Sequence, residues 1–115
     1  MTIKEISKRY HVSEATLRYY EQEGLILDVK RKNGIRDYKE ENFPNIEFVL
    51  CMRNSGMSME RLKKYMQLLN VQNTEKERKQ ILELQRKEIK EQIDVLTEIL
   101  KKLDYKIDNY EKIMS

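Results

Sequence analysis

The sequence predicts a mainly α fold, in which a head of short helices carries a small β ribbon and leads into one long C-terminal helix. Three observations predict it. Up to about Asn70, apolar residues at helical spacing are repeatedly interrupted by turn signals. Within that part Asn33-Gly34 separates two short basic runs. After Asn70 neither Gly nor Pro occurs, and from Ile89 onward apolar residues recur in alternating steps of four and three.

Taken in order, Ile3, Ile6 and Tyr10 predict a first helix over about residues 3–9. Ser13 can cap a second helix that runs to about Gln22, with Gly24 ending it nearby. Ala15, Leu17, Tyr20 and Leu25 are its expected packing residues, which leaves Arg18 and Tyr19 facing outward. Two short helices joined by a tight turn make the helix-turn-helix plan, whose second helix can enter a DNA major groove.

Asn33-Gly34 predicts a type I′ hairpin, because both central residues of that turn need positive φ. Val29 and Ile35 are its expected anchors, and Lys30, Arg31, Lys32 and Arg36 crowd its strands. So many like charges destabilise an isolated ribbon. The ribbon makes better sense as a wing laid along phosphates. A third helix is expected to start between Glu40 and Pro44, since Pro is tolerated only near a helix start, and to run through Ile46, Phe48, Val49, Leu50 and Met52. Gly56 ends it. Ser58 then caps a fourth helix with Met59, Leu62, Tyr65, Met66 and Leu69 on its apolar side, and Thr74 caps the long helix.

The seam of that last helix is Leu82, Ile89, Ile93, Leu96, Leu100, Leu103, Ile107, Tyr110 and Met114. A lone helix of roughly 40 residues, about 60 Å long, leaves such a stripe in water. Nothing else in the chain is long enough to cover it, so a homodimer is expected. The pattern leaves parallel and antiparallel pairing open. The expected organisation is a winged helix-turn-helix DNA-binding domain over residues 1–70 and a dimerisation helix over 74–114.

Composition narrows the function. Residues 1–70 carry 13 Lys/Arg against 10 Asp/Glu, and residues 71–115 carry 10 of each, so the net charge of +3 lies in the head. A basic cluster invites phosphate, although a solvated loop explains Lys30 to Lys32 equally well on charge alone. Cys51 is the only cysteine and His11 the only histidine, which argues against a disulfide framework, a thiolate metal cluster or a histidine-based hydrolytic site. No enzyme activity, cofactor or metal is expected. No apolar run is long enough to cross a membrane and the start does not resemble a signal peptide, so the cytoplasm is the expected location.

"VSEATLRYYEQEGLI", "KNGIRDY" and "MRNSGMSMERLKKYM" together resemble the recognition helix, the wing and the third-to-fourth helix connection of the MerR family of bacterial transcription regulators. With the long terminal helix, the resemblance covers essentially the whole chain. It implies a winged helix-turn-helix head with two further helices, paired through an antiparallel coiled coil. It also implies a two-fold dimer on double-stranded promoter DNA, acting with RNA polymerase by distorting an overlong promoter spacer. "LCMRNSGMSMERLKKYMQLL" is similar to the family's aldehyde- or electrophile-responsive subgroup, whose notable cysteine precedes a Leu/Met-Arg pair; here that residue is Cys51. The family often has glycine where this chain has His11, so the turn must adapt.

Arg18 is the first choice for DNA contact, because its planar fork can bridge two acceptors on guanine or clasp a phosphate. The plainer reading is a surface ion pair with Glu14 or Glu21. Tyr19 can donate its hydroxyl to phosphate, whereas Tyr20 reads as core. By resemblance Arg36 and Tyr38 occupy the wing's contact positions, Arg36 anchoring phosphate and Tyr38 combining packing with a hydroxyl contact, while Lys32 contributes along the backbone or minor groove. Arg61 and Lys64 are weaker choices that a solvated helix face explains as well. Cys51 among Val49, Leu50 and Met52 reads from its neighbours as a buried small hydrophobe; the subgroup resemblance makes it a sensor thiol, with Arg53 placed to favour the thiolate. Two alternatives stay open: a regulator with no thiol sensing, and a coiled-coil adapter whose head binds protein.

Overall fold

The computed structural model describes residues 1–114; the side chains of Ile113 and Met114 fall outside the described residues, and with them the last seam position, Met114. The chain divides into two compact units, Met1–Arg78 and a second that begins at Lys79.

The first unit opens with α1 (Ile3–Tyr10) and α2 (Glu14–Gln22). Thr2 and Glu5 form a reciprocal cap: the Thr2 hydroxyl accepts the Glu5 N–H at 3.1 Å, and the Glu5 carboxylate accepts the Thr2 N–H at 3.1 Å. The turn adapts without glycine by placing His11 at φ 54°, a left-handed conformation that costs a non-glycine residue roughly 1–2 kcal/mol. In partial compensation the His11 and Val12 N–H groups both bond to the Ser7 carbonyl, and the Ser7 hydroxyl donates to the Val12 carbonyl. Ser13 caps α2 as expected, accepting the Thr16 N–H at 3.0 Å.

Strands β1 (Lys30–Lys32) and β2 (Ile35–Asp37) pair antiparallel, with Lys30 opposite Asp37, Arg31 opposite Arg36 and Lys32 opposite Ile35. Asn33 at φ 53° and Gly34 at φ 77° have the positive angles of a type I′ turn. A 3₁₀ turn, Glu40–Asn42, leads into α3 (Phe43–Asn54), with Pro44 in its first turn. Gly56 at φ 91° stops α3, and α4 (Met59–Leu68) begins behind Ser58, whose hydroxyl accepts the Arg61 N–H at 3.1 Å. Two asparagines fasten the segment between α2 and the wing to α3. Asn45 accepts the Leu27 N–H at 2.9 Å and donates to the Leu25 carbonyl at 3.0 Å, while buried Asn42 donates to the Leu27 carbonyl at 3.2 Å.

Ile6, Leu17, Ile26, Tyr38 and Ile46 form the buried centre, with Ile3, Tyr10, Val12, Tyr20, Val29, Phe43 and Leu50 packed around it. Leu25, Val49, Met57, Leu62 and Met66 are buried as well. Three expected packing residues are exposed instead. Ala15 lies on the first turn of α2, before the buried stripe begins at Leu17. Ile35 is 67% exposed because a ribbon of two three-residue strands has no second layer to cover its outer face. Leu69, 42% exposed, lies at the C-cap of α4, past the last buried turn at Met66.

The long helix α5 (Glu75–Asp108) starts after Thr74, whose buried hydroxyl donates to the carbonyls of Leu68 at 2.7 Å and Val71 at 3.0 Å and so closes the preceding turn. A single helix to residue 114 was expected, but α5 ends at Asp108 and a short α6 (Tyr110–Met114) follows. Asn109 supplies the reason: its side-chain amide donates at 2.9 Å to the Tyr105 carbonyl, the acceptor that its own backbone N–H also uses. Along the seam, Leu82 and Ile89 are half-buried, whereas Ile93, Leu96, Leu100, Leu103, Ile107 and Tyr110 are 51–67% exposed. No helix among the described residues is long and apolar enough to cross a membrane.

Candidate nucleic-acid interface

The interface is built around α2. Leu17 is fully buried and fixes the rotation of that helix, so Arg18 and Tyr19, the next two residues, emerge into solvent. Arg18 pairs with Glu14 one turn earlier at 3.4 Å, but both side chains are 40% exposed or more. An exposed pair of that kind contributes little to stability, about 0–1 kcal/mol, and leaves the guanidinium free to exchange partners. Tyr19 is 44% exposed, and its ring lies 6.0 Å from that of half-buried Tyr20, which packs on the core as expected.

The wing meets α2 through Glu21. Its Oε2 accepts from Arg36 Nε at 2.6 Å and its Oε1 lies 3.4 Å from Arg31 Nη2. Glu23, two residues on, pairs with Lys63 of α4 at 2.6 Å, and this bond raises the lysine's pKa. Carboxylates at the C-terminal end of α2, Glu21 in its last turn and Glu23 at its cap, thus tie it to both neighbours. The sequence offers Glu21 only as an alternative partner of Arg18, whose partner is Glu14, and it does not single out Glu23 or Lys63. The available signal was the excess of cations in the wing, which required a counter-charge.

The remaining sites are distributed more widely. Lys32 is exposed on the wing and Lys64 on α4, while Arg61 is half-buried. Lys63, rather than Lys64, is the α4 lysine that reaches α2. Tyr38 requires a correction. It is 1% exposed, and its hydroxyl is buried without a hydrogen-bond partner, so from this position it cannot reach a phosphate. Burial raises its pKa first, and the Glu21 charge raises it further.

The chain's residues 1–69 match the model of the MerR HTH family regulatory proteins, and residues 45–105 match a second MerR model described as DNA binding. The chain belongs to the MerR family. It is 54% identical over 66 residues to the HTH-type transcriptional regulator AdhR of Bacillus subtilis, a match spanning 56% of this chain and 47% of AdhR. It is 31% identical over 113 residues to an HTH-type transcriptional regulator of Haemophilus influenzae, covering 96% of this chain and 84% of that one. Among solved structures, a MerR-family regulator from Listeria monocytogenes superposes with a TM-score of 0.88 at 42% identity, over 96% of this chain and 86% of the other. HiNmlR, a MerR family regulator lacking the sensor domain and solved bound to promoter DNA, superposes with a TM-score of 0.87 at 31% identity, over 96% and 90% of the two chains.

This MerR protein is therefore a DNA-binding transcription regulator and not an enzyme. Its wing, recognition helix and α4 occupy the stretch that the first model matches. Cys51, expected from its neighbours to be buried, is exposed on α3. The buried residues of α3 are Ile46 and Val49, and position 51 lies two residues beyond Val49, on the opposite side of the helix. The same geometry separates the thiol from Arg53. Arg53 donates through Nη1 to the Met57 carbonyl, and its Nε is buried without a partner, so it is committed to the α3–α4 turn rather than to the cysteine. Among the described residues no cluster of His, Cys, Asp and Glu is arranged to hold a metal ion.

Proposed function

We propose that this MerR regulator binds promoter DNA as a homodimer joined by an antiparallel coiled coil of α5, in the cytoplasm. Arg18 and Tyr19 contact the duplex from α2, and Lys32 and Arg36 contact the backbone from the wing, with Arg61 and Lys64 as auxiliary phosphate contacts. The seam is formed by Leu82, Ile89, Ile93, Leu96, Leu100, Leu103, Ile107 and Tyr110. The observation that carries this reading is the exposure of Arg18 and Tyr19 on a helix bonded directly to a basic wing. RNA polymerase is the expected partner at the promoter, and activation proceeds by distortion of the spacer between promoter elements.

The exposure of Cys51 supports a sensor role. Its thiolate adds to the carbonyl carbon of a reactive aldehyde, the carbonyl electron pair moves to oxygen, and that oxygen takes the proton to give a hemithioacetal. The modified residue changes activity to the extent that it interacts differently with two dimer geometries. A regulator without thiol sensing is the second reading, favoured by the commitment of Arg53 to Met57.

Transcript yield in a purified polymerase reaction tests both, using a promoter from the gene's own neighbourhood with and without a small aldehyde. Protein-dependent yield that rises with aldehyde, and no longer rises after Cys51→Ser with duplex binding intact, is the expected result. Aldehyde-insensitive yield overturns the sensor while keeping the regulator. Yield unaffected by the protein overturns activation at that promoter.

A further inference from the structure

Arg31 and Arg36 are direct cross-strand partners, and residues so paired share one face of the ribbon. Like charges placed opposite one another destabilise a two-stranded sheet. That face is turned toward α2, where the Glu21 carboxylate lies between the two guanidinium groups, 2.6 Å from one and 3.4 Å from the other. The Glu21 and Arg36 side chains are only 20% and 23% exposed. The Tyr38 side chain is buried at the end of the same strand segment, and the Glu21 charge adds to burial in raising its pKa. Glu21 takes the Nε edge of Arg36 and leaves the terminal nitrogens for another acceptor.

We propose that Glu21 is a positioning residue that sets the register of the wing on the recognition helix and thereby governs discrimination between operator and other DNA. The proposal rests on the reading that Arg36 meets phosphate. With Glu21 in place, the Arg36 fork stands at one offset from Arg18 and Tyr19, so it reaches a phosphate only when α2 is seated correctly. Without the carboxylate, the wing arginines are free to find any phosphate, and the local field toward DNA increases. The field strengthens binding to both sequences alike, whereas the loss of register favours the wrong sequence over the right one.

The test uses the full chain, a duplex selected from a random library by the wild-type protein, and a scrambled duplex of equal composition. Glu21→Gln is expected to bind the scrambled duplex about threefold or more tightly, with a log–log salt slope steeper by up to about 0.9, and to lower the selected-to-scrambled ratio about tenfold. Arg36→Met is expected to weaken both duplexes. In that background Glu21→Gln should change the ratio less than twofold, because the carboxylate acts through Arg36. If Arg36→Met alone leaves binding unchanged, the wing-contact reading fails and takes the proposal with it. If Arg36→Met weakens binding but Glu21→Gln leaves the ratio within twofold of wild type, Glu21 is overturned alone. An equal ratio change with and without Arg36 also overturns it. Thermal unfolding of each variant separates a loss of fold from a loss of register.

Discussion

Leu100 sits in the middle of the stripe on α5 with 57% of its surface exposed. Fully burying a leucine stabilises by roughly 1.5–3 kcal/mol, so this residue has about 0.9–1.7 kcal/mol left to gain from a partner. A two-fold dimer counts it twice, about 1.7–3.4 kcal/mol, which corresponds to a factor of roughly 20–300 in the dimer dissociation constant. Leu100→Asp removes that gain and adds two carboxylates to an apolar seam, so the constant should rise at least about 20-fold. Tyr105 provides the control. It is 67% exposed on the same helix but falls outside the four-three pattern, so Tyr105→Asp should leave the constant within threefold. Sedimentation equilibrium measures both. Equal effects of the two variants, or none from Leu100→Asp, would refute the assignment of the seam.

Tyr38→Phe removes a buried hydroxyl that lacks a partner, so stability should hold or rise by about 1 kcal/mol in urea unfolding. Duplex affinity should stay within twofold, and a tenfold loss would restore Tyr38 to the contact set. Gly34→Val forces a β-branched residue into φ 77°, which should cost about 1–2 kcal/mol and weaken duplex binding through the wing, read by unfolding and fluorescence anisotropy. The Thr2 backbone bond, followed by the Thr2 hydroxyl, holds the Glu5 pKa below 4.5. Its stabilising contribution is therefore complete above pH 4.5 and is lost as pH falls through the lower folded value. Glu5→Gln should flatten that acid limb of the stability profile; an unchanged limb would show that the cap contributes nothing there.

Local chemistry was legible where one residue decides one geometry. Ser13 and Ser58 cap helices, Pro44 sits in a first turn, and Asn33-Gly34 makes the turn that positive φ demands. Tertiary consequences were harder to read. Helical spacing assigned Ala15 and Leu69 to the interior, and position beside the turn made Ile35 an anchor, because neither signal tells where an apolar face runs out of neighbours. Met57 went unrecognised as core because it lies in a connection, where no period operates, and for Tyr38 the packing half of a mixed expectation is the half that the structure bears out. Cys51 looked buried because its sequence neighbours are apolar, yet a helix turns it to the side away from Val49. At the interface the cations and the Glu14 partner of Arg18 were visible in the sequence, but the pairing of Glu21 with the wing and of Glu23 with Lys63 was not. Which acid meets which base depends on how helix, wing and α4 come together.

The direct pairing of Arg31 with Arg36 also bears on the order in which the chain assembles. Two three-residue strands, basic at most positions, have little reason to associate before α2 presents Glu21, the 3₁₀ turn presents Asn42 and α3 presents Asn45. The hairpin should therefore form late, after the helices have packed on Leu17 and Ile46, and mutations in it should speed unfolding more than they slow folding. In native-state hydrogen exchange its amides should open well below the free energy of global unfolding. On the proposed binding mode, the element laid along DNA would then be the one most easily released from the protein's own body.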